Sequence, residues 1–275
     1  MGSISGRSIS LSLPRRFICD LLRASRHIPV VTFERQIDVS SLIAARKKVR
    51  QIPPWAVLLA KAFAIVAEHR PEFRRAYLPL PWPHLWEAEK SIAAIAVERE
   101  YYGDPGVFFG MLKSPNEKPL TELTAKVHEW KTKPLEEIAI FRRVFRYTRL
   151  PLPLRRLLWW TAMSWSGSVK ARNFGTFGIS LTGGAGATAT NLIAPITTSL
   201  NCSVVKPDGT MDLRLHFDHR VLDGMTAARA LADLEQVLKN DIVAELESMA
   251  DSETPEMIKS RSLRSGFAVD QYVGE

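Results

Sequence analysis

The 275-residue sequence has two cysteines, Cys19 and Cys202. That is too few to brace a disulfide framework or to build a zinc cluster, and the pair reads as two buried or half-buried thiols in a reducing compartment. No run approaches the roughly eighteen apolar residues needed to cross a bilayer. The N-terminus has no apolar signal core. Gly2 invites N-myristoylation, but Gly6 stands where Ser or Thr is required, so the motif fails. A cytoplasmic protein without a resident metal is therefore expected. The Gly183-Gly-Ala-Gly186 loop lacks both the Gly-Lys-Ser/Thr ending of a phosphate loop and the Gly-x-Gly-x-x-Gly frame, so it is no nucleotide cradle.

What the chain does have is a 46% hydrophobic content, enough for a sizeable core in one large domain or two small ones. Its net charge of +8 is unevenly spread, for Phe141 to Arg172 holds eight Lys or Arg and no acid. Within it, Arg155-Arg-Leu-Leu-Trp-Trp160 interleaves basic and aromatic side chains. Nucleic acid is not expected there, because nothing else in the chain reads bases. A peripheral membrane or lipid contact through 141–172 stays open. So does a plainer arrangement, an amphipathic helical pair packing Trp on the body with its arginines solvated or near an acidic ligand.

Taken in order, residues 1–13 read as a flexible leader and 14–248 as the folded domain. Residues 249–275 read as a mobile tail. Helical patterns open at Pro14, at Ser40 as a cap, at Pro53-Pro54, at Thr121 and, interrupted by Pro151 and Pro153, from Glu136 to Trp160. Val30 to Val39 reads as a strand. Ser91–Glu98 and Val107–Leu112 read as a hairpin about Gly103-Asp-Pro-Gly106. Tyr77 to Trp86 is Pro-rich and reads as irregular. Ser203–Val205 reads as a short strand before a turn at Pro207-Asp-Gly209.

The stretch that organises the rest lies near the C-terminus. From Met211 to Asp218 apolar and polar residues alternate, with Met211, Leu213, Leu215 and Phe217 on one face: a strand with one buried side. From Gly224 the period becomes helical through Met225, Ala228, Leu231, Leu234 and Leu238. His219 to Asp223 therefore form a short strand-to-helix crossing, where rigid elements on both sides hold a side chain. The plain alternative is that His219 fills a loop and Asp223 caps the helix.

Phe217-Asp-His-Arg-Val-Leu-Asp-Gly224 resembles the His-x-x-x-Asp-Gly motif of the dihydrolipoyl acyltransferases, catalytic components of 2-oxo acid dehydrogenase complexes that share the chloramphenicol acetyltransferase fold. Gly175-Thr-Phe-Gly-Ile-Ser180, the Gly-rich loop and Ile193-Ala-Pro195 match further segments of that family, and the Arg15-Arg16 helix, Ile-Pro and strand match its start. The likeness spans roughly Arg15 to Lys239; Glu136 to Trp160 departs from it.

The resemblance implies an α/β fold, a mixed β-sheet covered by helices as an α+β sandwich. It implies acyl transfer from coenzyme A thioesters with His219 as base and Ser180 as oxyanion donor, although a Ser bonded to backbone on a buried strand is the plainer reading of Ser180. By the same resemblance Asp223 pairs with Arg16, or alternatively Arg15, and Gly224 supports the site, although two solvated arginines at a helix start are the plainer reading of Arg15-Arg16. It also implies a homotrimer with Ser and His contributed by different subunits. A lipoyl domain, its linker and a subunit-binding domain are not seen, which suggests a free-standing catalytic domain without a covalently bound lipoyl group. The acceptor stays open as a thiol, hydroxyl or amine on a small molecule or lipid. A lipoamide acyltransferase serving a separately encoded lipoyl domain, and a non-catalytic oligomeric scaffold, are the alternatives.

Overall fold

The computed structural model describes residues 4–182 and 187–252. The expected Gly-rich loop at 183–186 and most of the expected tail lie outside them. The core is a six-stranded mixed sheet in the order β1-β8-β7-β6-β4-β5, made of β1 (Val30–Asp38), β4 (Ile92–Tyr101), β5 (Asp104–Lys113), β6 (Phe177–Ile179), β7 (Thr198–Cys202) and β8 (Thr210–Asp218). β7 and β6 run parallel, as do β6 and β4; the other neighbours are antiparallel. A second, two-stranded sheet joins β2 (Arg75–Leu78) to β3 (His84–Glu87). These two strands flank the proline cluster that was expected to make the whole stretch irregular.

The expected alternation in β8 holds, with Met211, Leu213, Leu215 and Phe217 buried. The opposite face is not simply polar and wet, because His216 and Asp218 are buried too. β8 sits between β1 and β7, so its end is covered on both sides. Helix α3 (Trp55–His69) is apolar around its whole circumference and is buried from Val57 to Ala64, as such a pattern requires. Its one charge there, Lys61, is matched by Glu245 and the Lys118 carbonyl. Helix α8 (Gly224–Val237) packs against it, and α2 (Ser40–Lys48) packs against α9 (Val243–Ser252). The buried side of α8 is Ala227, Ala230, Leu231 and Leu234, and Met225 is exposed. α9 carries regular structure through Ser252, past the expected start of the tail.

Three local expectations shift. The β4–β5 strands are longer than the pattern suggested, and the chain turns at Tyr102-Gly103, both at positive φ (50° and 83°). Such mirror-image turns match the strand twist. Pro105 is then part of β5, which its edge position tolerates. The strand near Ser203 is instead Thr198–Cys202. Ser40 is the first residue of α2 rather than its cap, and its N–H is bonded by the Asp38 side chain. Cys202 is buried, whereas Cys19 is exposed.

Candidate active site

β8 ends at Asp218 and α8 begins at Gly224, so the crossing is five residues long. Its backbone is tied on both sides. The His219 N–H donates to the Pro29 carbonyl at 3.0 Å, the Asp218 N–H to Thr197 at 2.8 Å, and those of Val221 and Leu222 back to Asp218. The Asp218 carboxylate takes the Arg220 guanidinium in a fork, Nε to Oδ1 at 2.9 Å and a terminal nitrogen to Oδ2 at 2.7 Å. Arg220 in turn lies over the Tyr77 ring at 4.3 Å. At the other end, a Cβ on Gly224 would come within 2.7 Å of the Phe33 ring, so glycine permits the helix to meet β1 this closely. Asp218 and Arg220 carry no role in the expectations from sequence. Their signal was present, an acid and an arginine flanking the histidine in one short motif.

The loop fixes the chemistry of His219. Its Nδ1 lies 2.9 Å from the Leu222 carbonyl oxygen. A carbonyl only accepts, so Nδ1 carries the hydrogen and Nε2 keeps its lone pair. Phe217 meets the imidazole edge-to-face at 5.9 Å. The side chain is about half exposed, which leaves Nε2 accessible. Asp223 occupies the N-cap position of α8 but makes no capping hydrogen bond; its carboxylate is 88% exposed, 4.0 Å from Nδ1.

The expected Arg16–Asp223 pair is not formed within the chain. Helix α1 (Leu13–Ser25) packs beside β5 at one edge of the sheet, and Arg16 bonds the Leu11 carbonyl. Asp223 follows β8, next to the opposite edge. Arg15 offers no substitute, as it too belongs to α1.

Ser180 follows β6, its N–H bonded to Leu200 O at 3.1 Å. Phe177 is level with Thr198, and Thr198 with Phe217. Ser180 lies three steps beyond that level in one direction and His219 two steps beyond it in the other. The five steps amount to roughly 16 Å along the strands, and the two strand spacings to roughly 10 Å across them. One chain does not bring the two groups together.

Ser180 instead lies in the wall of a cavity of about 580 Å³. Its other walls come from α1, β4, β5, residues 192–196 and three helices of the basic segment, α5 (Ala139–Thr148), α6 (Leu152–Ser164) and α7 (Gly167–Phe174). Phe17, Phe109, Ile140, Leu158, Trp159 and Phe174 make much of the lining. Trp159 stacks on Phe174 at 5.0 Å and leans on Phe17 at 5.9 Å. Proline sets the break: Pro151 caps α6 and Pro153 sits in its first turn, where a missing N–H is harmless.

The segment's arginines are exposed as expected at positions 142, 143, 146, 149, 156 and 172, and Arg155 is the exception. Arg155 is largely buried and pairs with buried Asp20 at 3.2 Å. Burial outweighs the pull of Arg155 and raises the Asp20 carboxyl above its usual value. Lys170 is buried as well; desolvation takes its pKa down to about 8, against the opposing pull of Asp218. Trp160 and Trp165, by contrast, remain exposed, at 51% and 61%. No helix of the described residues is long and apolar enough to cross a membrane.

Residues 173–246 match the family of 2-oxoacid dehydrogenases acyltransferase (catalytic domain). No curated protein sequence matches the chain. Among solved structures, the cubic core of the pyruvate dehydrogenase multienzyme complex is 25% identical, with a TM-score of 0.60 over 88% of this chain and 95% of that one. The Azotobacter vinelandii dihydrolipoamide acetyltransferase, studied for the role of a serine, a histidine and an asparagine in its catalytic mechanism, is 24% identical, with a TM-score of 0.62 over 88% and 94%. A truncated catalytic core of the 2-oxoacid dehydrogenase multienzyme complex from Thermoplasma acidophilum is 20% identical, with a TM-score of 0.61 over 86% and 99%. The chain has the fold of the acyltransferase catalytic cores of 2-oxoacid dehydrogenase complexes, and residues 173–246 match that family's sequence pattern.

Proposed function

We propose that the chain transfers an acyl group between a coenzyme A thioester and a thiol, hydroxyl or amine acceptor, in a site shared between two copies of the chain. The observation that carries the reading is the 2.9 Å hydrogen bond from His219 Nδ1 to the Leu222 carbonyl. It leaves the Nε2 lone pair available for proton transfer, on a loop held at both ends. In the proposed reaction Nε2 takes the proton of the acceptor as that atom attacks the thioester carbonyl. The tetrahedral oxyanion accepts a hydrogen bond from the Ser180 hydroxyl of a neighbouring copy. As the intermediate collapses, the carbon–sulfur bond breaks and the coenzyme A thiolate receives the proton held on Nε2.

Asp223 stands four residues after His219, the spacing of the histidine and asparagine studied in the Azotobacter vinelandii enzyme. In this reading its carboxylate borders the base. The homo-oligomer is supported by the separation of Ser180 from His219 within one chain and by the relative that forms a cubic core. A lipoamide acceptor is the second reading, favoured by relatives that are themselves dihydrolipoamide acetyltransferases.

The test is coenzyme A release from a series of acyl donors, with free dihydrolipoamide, small thiols, alcohols and amines as acceptors. His219→Ala is expected to stay folded and to lower turnover about 10²–10⁴-fold. Unchanged turnover removes His219 from the mechanism.

A further inference from the structure

We infer that the cavity beside Ser180 seats a long aliphatic acyl chain, so that the donor is a medium- or long-chain acyl thioester rather than an acetyl thioester. The inference rests on the acyl-transfer reading and extends it to a substrate class. A group whose carbonyl oxygen meets Ser180 has its acyl chain attached one bond away. Ser180 shares its cavity with Gly178 and Ile179 from the sheet and with the aromatic wall of Phe17, Phe109, Trp159 and Phe174. At about 580 Å³ the space is far larger than an acetyl methyl needs and lies within the range of pockets that enclose whole small molecules.

Its polarity points the same way. Arg155 enters the wall already neutralised by Asp20, and it donates to the Thr148 carbonyl at 3.0 Å. The charge of that guanidinium is thus already balanced within the wall. Arg143 and Arg172, which also line the cavity, are exposed. The wall therefore grades from aromatic and aliphatic side chains to exposed cations, the polarity of a fatty chain ending in an anionic carrier. Part of the wall, from Ile140 to Trp159, also belongs to the helical segment that departs from the family pattern, where a change of substrate is most readily accommodated.

The chain is read by binding and by turnover. Unreactive thioethers, S-ethyl and S-dodecyl coenzyme A, are titrated calorimetrically into the intact protein. The dodecyl compound is expected to bind at least tenfold more tightly, because each methylene moved from water into an apolar site favours binding roughly threefold to fourfold. Turnover of acetyl, hexanoyl and dodecanoyl coenzyme A should rise in the same order. Ala162→Trp, which fills the cavity from α6, is expected to bring the dodecyl-to-ethyl ratio close to one. Val169→Phe, from α7, serves the same purpose if the first variant does not fold.

Equal binding of the two thioethers by wild-type protein overturns the chain pocket while leaving acyl transfer intact. An unchanged ratio in a folded, cavity-filled variant also overturns it. A preference that appears only in the acceptor, with dodecanol taking acetyl groups and the dodecyl thioether binding no better, overturns the assignment to the donor. Absence of both thioether binding and thioester turnover overturns the acyl-transfer reading together with it.

Discussion

Ser180 and His219 leave the central sheet at opposite ends, with Ser180 following β6 and His219 following β8. The parallel pairing of β6 with β7, and the antiparallel pairing of β7 with β8, oblige them to do so. A reaction that uses both groups at one carbonyl therefore requires a second copy.

Complementation tests that requirement. After subunit exchange by mild denaturation and refolding, mixtures of His219→Ala and Ser180→Ala protein should regain a fraction of wild-type turnover, since some interfaces combine an intact serine with an intact histidine. Verified exchange without recovered activity, or an active species that sediments as a monomer, rules out the shared site.

Ser180→Ala alone should lower kcat by roughly 10²-fold, equivalent to about 3 kcal/mol of barrier, with KM little changed. A rise in KM at constant kcat would make Ser180 a ground-state contact instead.

Gly224→Ala should loosen the histidine loop. The added Cβ meets Phe33 at 2.7 Å, an overlap expected to lower stability by about 1–3 kcal/mol. Phe33→Leu should recover part of that loss, and denaturant melts of the two single variants and the double variant provide the check. Additive losses would mean that the ring is not the obstacle.

His216 makes stability sensitive to acid. It is buried on β8, with Nδ1 2.8 Å from the Thr32 hydroxyl and Nε2 without a partner. Burial, aided by Arg214, pushes its pKa down to about 4, against about 6.5 for an unfolded chain. Between those values the unfolded state takes up a proton that the folded state refuses, so stability is full above about 6.5 and is lost as pH falls toward 4. With one proton involved, the slope cannot exceed ~1.4 kcal/mol per pH unit. Melting temperatures from pH 7 to 4 should drop less steeply for His216→Gln than for wild type.

The Asp20–Arg155 pair anchors α6 to α1. Arg155→Met leaves a buried carboxylate alone and should destabilise by about 3 kcal/mol or more, whereas Arg155→Met with Asp20→Leu should be markedly milder. Thermal melts distinguish the two. Equal losses would mean that the pair is packing rather than electrostatics.

Periodicity alone carried β1, β8, α3 and the change from strand to helix at Gly224, because side-chain spacing follows directly from strand and helix geometry. The His219 motif and Ser180 were legible as residue types in a pattern. The absence of an Arg16–Asp223 contact within the chain was not legible, because strand order placed α1 and the histidine loop at opposite edges of the sheet. Nor was the burial of Arg155 and Lys170, each a cation in a segment without acids whose surroundings come from α1 and from the Tyr77 strand. A sequence states which side chains exist and how they alternate along an element. Which elements lie side by side, and so which charges meet and where a cavity opens, follows from contacts between distant residues that no local pattern encodes.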